Sequence, residues 1–241
     1  MSAPVAAASA ATADPRLIIP LDVPTRADAE SLIDKLGDSI GFYKIGLQLL
    51  ATGGMGLAHD LKQAGRRIFL DWKLHDIGAT VEKATAAIAA TGDCDVLTVH
   101  AEPQVMAAAV RGRAGATGVK IVGVTVLTSL DDAALTELGY GLKVTDLVER
   151  RIRQAIDAGL DGVVASPHEA ALARRIAGPD FLVITPGVRP SWSSADDQAR
   201  AATPADALKA GASHLVCGRP ITGAADPRAA ALSVAEEMAG A

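Results

Sequence analysis

The sequence predicts a single α/β domain closed as a (β/α)8 barrel, the TIM-barrel architecture, and three observations predict it. Eight short apolar runs recur along the 241 residues. Most are near-continuous rather than alternating, the pattern of parallel strands covered on both faces. Longer stretches with helical periodicity and end signals separate them, and no linker or repeat breaks the alternation. A doubly wound open sheet is the competing architecture for the same pattern.

Taken in order, "LIIPLDV" (17–23) opens the series, with Pro20 inside it at a place where proline removes a ladder donor. "TRADAESLIDKLG" follows as a helix capped by Thr25 and stopped by Gly37. "GFYKIG" (41–46), "RIFLDWKL" (67–74), "DVLTVHA" (95–101) and "KIVGVTVL" (120–127) give the next four strands. "VTDLVERRIRQAIDAG" is helical, with Val144, Leu147, Ile152 and Ile156 on roughly one face, "VERRIRQ" as a solvated face, and Gly159 as its end. "GVVAS" (162–166) and "FLVITPG" (181–187) are strands six and seven. "TPADALKAG" carries Thr203 as cap, Pro204 at the first helical position and Gly211 as terminator. "HLVCGRP" (214–220) completes the eight, with Cys217 in the core.

Residues 1–15, "MSAPVAAASAATADP", read as a mobile N-terminal extension, leaving 16–241 to the barrel. They lack the basic start and the Leu, Ile or Val run of a signal peptide. With 49% hydrophobic and 21% charged residues but only 3% aromatics, the chain has the composition of a soluble enzyme with an Ala, Val, Leu and Ile core. A net charge of −5 argues against a general nucleic-acid or membrane binder, while leaving room for a local positive pocket for a small anion. No apolar stretch approaches the ~20 residues a membrane helix needs. Cys94 and Cys217 are the two cysteines, and no CxxC occurs. A structural zinc site and a disulfide framework are therefore both disfavoured, and a reducing cytoplasm is the simplest compartment.

In a barrel of this kind, chemistry gathers where strands end and loops begin. The polar residues at those ends are Asp22, Lys44, Asp71, Lys73, Asp76, His100, Thr128, Arg189, Gln198, Gly218 and Arg219. Asp71 and Lys73 are two apart in a strand and share a face, with Trp72 and Leu74 on the other. Asp76 falls in the loop beyond, within reach of Lys73. Lys44, Asp71, Lys73 and Asp76 alternate in sign, so each favours the ionised form of the next. A plain ion-pair network capping the barrel is the alternative reading. "TPGVRP" and "CGRPIT" place glycine and a basic residue after strands seven and eight, where barrels often hold phosphate. Arg219 is a candidate phosphate clamp. "RPSWSSADDQ" (189–198) reads as a lid or as an ordinary surface loop. His75 is assigned a structural hydrogen bond and His100 a supporting place behind the site.

The Asp71-x-Lys73-x-x-Asp76 signature resembles that of the orotidine 5′-phosphate decarboxylase family. So do "LDV" with Asp22, "YKIG" with Lys44, "VTVLTS", "TPGVRP", "DDQAR" and "CGRPIT", in order over about residues 17–222. Trp72 stands where the family often has leucine, and "IGAT" where it often has "IPNT", with Thr80 retained. The resemblance implies conversion of orotidine 5′-phosphate to UMP and CO₂ without metal or organic cofactor. It implies Lys73 as the proton donor to C6, Asp71 beside the substrate carboxylate, and Lys44 holding Asp71 and the ribose region. Asp22 would bind ribose hydroxyls and Thr128 the pyrimidine end, while Arg189, Gln198, Gly218 and Arg219 would grip the phosphate. It further implies a homodimer in which Asp76 and Thr80 reach into the partner's site. A related metal-dependent sugar-phosphate decarboxylase or synthase, and a non-catalytic nucleotide-binding barrel, are the competing functions.

Overall fold

The computed structural model describes residues 14–116, 118–193 and 202–241. Its strands are β1 (Leu17–Pro20), β2 (Phe42–Gly46), β3 (Arg67–Leu74), β4 (Val96–His100), β5 (Lys120–Val124), β6 (Gly162–Val164), β7 (Leu182–Pro186) and β8 (His214–Val216). All pair in parallel with their chain neighbours, and β8 returns to β1, so the sheet closes rather than staying open. Each predicted run contains a strand, but most strands end sooner. β1 stops at Pro20 and β8 at Val216, although Leu21 and Cys217 just beyond are fully buried. An apolar run reports burial under helices, and burial continues past the last ladder bond.

The helix Arg26–Leu36 begins at Thr25 in a capping box with Asp28 and ends at Gly37, whose φ is 57°. Thr203 likewise accepts from Asp206 N at 3.1 Å to start the helix Pro204–Lys209. The helix Val144–Asp157 corrects two expectations. Ile156 is 39% exposed, because the buried stripe runs through Leu147, Val148, Arg151, Ile152 and Ala155 and Ile156 lies beyond its edge. Arg151, expected in solvent, is buried: it donates to Thr125 O and, at 3.1 Å, to Tyr140 Oη, and lies over the Tyr140 ring. A guanidinium can be buried when its fixed donors find carbonyl and hydroxyl acceptors.

Strand alternation sorts the barrel into two cores. Ile18, Phe42, Phe69, Val96, Val122, Ile184 and Val216 fill the interior. Their neighbours Ile19, Tyr43, Leu70, Leu97 and Leu215 face the helices. Two residues beyond each interior side chain lies the next inward position: Pro20, Lys44, Asp71, Thr98, Val124, Pro186 and Gly218. Cys94 and Cys217 are buried free thiols, pushed up to about 12 by burial. Among the described residues, no helix is long and apolar enough to cross a membrane. Residues 1–13 of the predicted extension lie outside the described residues, and Asp14 accepts from Arg16 Nε at 2.9 Å.

Candidate active site

Above the interior phenylalanines the barrel opens into a cavity of about 340 Å³. Asp22, Lys44, Asp71, Lys73, Thr128, Arg189, Gly218 and Arg219 all line it, eight side chains or backbones drawn from both halves of the chain. A second space of about 560 Å³ shares Leu127, Thr128, Pro186, Gly187 and Arg219 with it and extends it over the β5 loop.

At the floor, four groups alternate in sign. Lys44 Nζ donates to Asp22 Oδ1 at 2.9 Å and lies 3.3 Å from Asp71 Oδ2. Lys73 Nζ donates to Asp71 Oδ1 at 2.9 Å. Burial alone would raise the Asp71 carboxyl, but the Lys44 and Lys73 ammonium groups overcome it and hold Asp71 below the usual carboxylate range. The alternation therefore runs Asp22, Lys44, Asp71, Lys73. Asp76 does not belong to it within one chain, a correction to the sequence reading. It is exposed, its Oδ1 accepts from the adjacent Ile77 N at 2.6 Å, and neither it nor Thr80 lines the cavity. The physical reason is the turn after β3: its short side chain closes on its own backbone as a helix begins at Gly78.

Lys73 reaches the floor by an irregular path. It is the one described non-glycine residue with positive φ, at 48°. The β3–β4 register shifts between Leu70 and Leu74, a bulge-like break that re-aims the strand beside the site. Trp72 and Leu74 pack on the outer core, as alternation requires.

At the opposite wall, Gly218 approaches Pro20 so closely that an added Cβ would lie 3.1 Å from Pro20 Cγ. Arg219 opens the short helix Arg219–Thr222 instead of ending β8. Arg189 is buried, and its backbone N donates to Ala202 O at 2.9 Å. Gln198, and with it residues 194–198 of the predicted lid and the "DDQAR" motif, lies outside the described residues. His75 Nε2 pairs with Glu102 Oε2 at 3.0 Å and its ring lies 4.8 Å from that of His100. Burial and the neighbouring His75 lower the His100 pKa.

Sequence reasoning passed over two residues. Gly46 ends β2, and a Cβ there would meet Asp22 Oδ1 at 2.7 Å and Lys44 Nζ at 3.2 Å. A glycine at a strand end was the available signal. Thr98 accepts from Lys73 N at 2.9 Å. Nothing in "DVLTVHA" distinguishes it from an ordinary strand threonine.

The sequence family described as "Orotidine 5′-phosphate decarboxylase / HUMPS family" matches residues 15–234. The orotidine 5′-phosphate decarboxylase of Caulobacter vibrioides strain NA1000 / CB15N is 67% identical over 233 residues, covering 95% of this chain and 99% of that protein. That of Caulobacter sp. strain K31 is 69% identical over 229 residues, with the same coverage. The crystal structure of orotidine 5′-phosphate decarboxylase from Lactobacillus acidophilus matches with a TM-score of 0.82 at 35% identity, over 93% of this chain and 99% of that one. The chain belongs to the orotidine 5′-phosphate decarboxylase / HUMPS family.

Proposed function

We infer that this chain is a carboxy-lyase that converts orotidine 5′-phosphate to UMP and CO₂, a step of pyrimidine biosynthesis. The observation that carries the reading is the shared cavity: Lys73 beside Asp71 on one wall and Arg219 beside Gly218 on the other. Arg219, Arg189, Gly218 and Gln198 take the phosphate, and Asp22 with Lys44 takes the ribose hydroxyls. Thr128 positions the pyrimidine end. The C6 carboxylate then lies against Asp71, which stays ionised between two ammonium groups. As the C6–CO₂ bond breaks, its electron pair stays on C6. Lys73 Nζ stabilises that charge and transfers a proton to C6, becoming a neutral amine that solvent reprotonates. The interaction strengthens only as charge develops, which is what lowers a barrier.

The reading needs no metal. The support is positive: the Lys44 ammonium occupies the space between the Asp22 and Asp71 carboxylates. A decarboxylation assay on orotidine 5′-phosphate in excess chelator tests this. Turnover is expected to persist; loss on chelation points to the metal-dependent branch, and UMP binding without CO₂ release to a non-catalytic barrel.

Asp76 and Thr80 are assigned to the partner's site in a homodimer. Both are exposed, and Ile77 between them is 71% exposed, an apolar group suited to a covered face. Sedimentation, with activity of mixed Asp71→Ala and Asp76→Ala subunits, tests that assignment. A cytoplasmic location suits the two buried free thiols.

A further inference from the structure

We propose that Thr98 is a positioning residue for Lys73: its single buried hydroxyl holds both the Lys73 backbone and the Asp71 carboxylate. The proposal rests on the decarboxylase reading with Lys73 as acid.

Along β3 and β4, Leu70 pairs with Leu97 and Leu74 with Val99. Four steps on one strand therefore match two on the other, and the Lys73 N–H has no place in a regular ladder. Lys73 also carries φ 48°, a conformation that a side chain with a Cβ adopts only where its surroundings over-determine it. Thr98 provides that constraint. It is fully buried, and its Oγ1 accepts from Lys73 N at 2.9 Å. As donor, Oγ1 lies 3.2 Å from Asp71 Oδ1 and 3.4 Å from Leu70 O, the carboxylate being the nearer acceptor for its one hydrogen.

Lys73 Nζ donates to the same Asp71 oxygen at 2.9 Å. The contacts close a ring from the Lys73 amide through Thr98 Oγ1 and Asp71 Oδ1 back to the Lys73 ammonium. Both ends of one lysine are thus referred to one hydroxyl. Threonine is stiff at χ1, so the reference point moves little. Serine would retain the chemistry and valine only the shape. A residue that merely filled space would make neither polar contact.

The test uses the intact enzyme with Thr98→Val and Thr98→Ser. Misplacing a reacting group by about 1 Å costs on the order of 100-fold, so kcat of the valine variant should fall by about 10- to 100-fold. UMP affinity should stay close to wild type, because UMP lacks the carboxylate that meets Asp71. Hydrogen exchange at the Lys73 amide should accelerate, and the serine variant should recover most of kcat. A valine variant with wild-type kcat overturns the proposal. So does one in which kcat and UMP affinity fall together, the signature of general disruption. If the valine variant does not fold, Thr98→Ala is read in its place, and failure of both to fold overturns the proposal in favour of a structural role. Wild-type protein that releases no CO₂ overturns the decarboxylase reading itself, a result distinct from any failure of Thr98.

Discussion

At the N-terminal end of the barrel, the residues just before β4, β6 and β8 are Asp95, Asp161 and Ser213. Each side chain accepts from a backbone N–H on the preceding strand: Asp95 from Ile68 at 2.6 Å, Asp161 from Ile121 at 2.8 Å and Ser213 from Val183 at 2.9 Å. Each also donates its own N–H to the carbonyl of that same residue. Lys62 then pairs with Asp95, and Arg113 and Lys120 with Asp161. At the C-terminal end, Asp22, Lys44, Asp71 and Lys73 bond chiefly to one another, side chain to side chain, around an open cavity. The lower groups close off backbone that the barrel itself leaves unpaired. The upper groups leave their remaining bonding capacity turned toward the cavity. A polar group spent on backbone stabilises; one held by other side chains beside empty space is available for chemistry.

The largest effect that separates the two ends is Lys73→Ala. Turnover should be lost while UMP binding remains, read by CO₂ release and by titration with UMP; near-wild-type turnover would remove Lys73 as the acid. Arg219→Ala at the same end should weaken UMP by about 2–3 kcal/mol and spare uridine, since a charge-assisted contact to phosphate is lost. Equal losses for both ligands would reassign Arg219. At the other end, Asp161→Ala should cost about 2 kcal/mol of stability by unpairing Ile121 N and two cations, a Tm fall of roughly 4–8 °C with kcat unchanged. A fall in kcat without a fall in Tm would erase the distinction between the ends.

A pH-dependent effect is also expected at the lower end. His214 packs edge-on against Phe42, and burial, then Arg67 and Arg16, push its pKa down to about 4. The fold therefore holds it neutral, whereas the unfolded chain takes up a proton near pH 6.5. Between those values the unfolded state binds more protons, so stability falls as pH falls, by up to about 1.4 kcal/mol per unit. His214→Gln should flatten the dependence of Tm on pH across that window. An unchanged slope would show that His214 does not carry it. Thr25→Ala, in the loop from Asp22 to the first helix, should cost only about 1 kcal/mol through the lost cap.

Much of this was legible because the signals were local. Eight apolar runs bounded by capped helices specify parallel strands covered by helices, and Thr25, Gly37, Thr203 and Pro204 mark boundaries through bonds made within a few residues. The inward placement of Lys44 and Asp71 follows from counting two residues beyond Phe42 and Phe69. Tertiary structure decided what depends on distant partners. Arg151 is buried because Tyr140 and a carbonyl of β5's loop meet it, and Gly46 is required by an aspartate from the loop after β1. The register shift that gives Lys73 its positive φ exists only between two strands, and the hydroxyl that answers it lies 25 residues along the chain. Periodicity is a property of one segment and can be read from it; register and the pairing of buried polar groups belong to two segments at once and exist only when they meet.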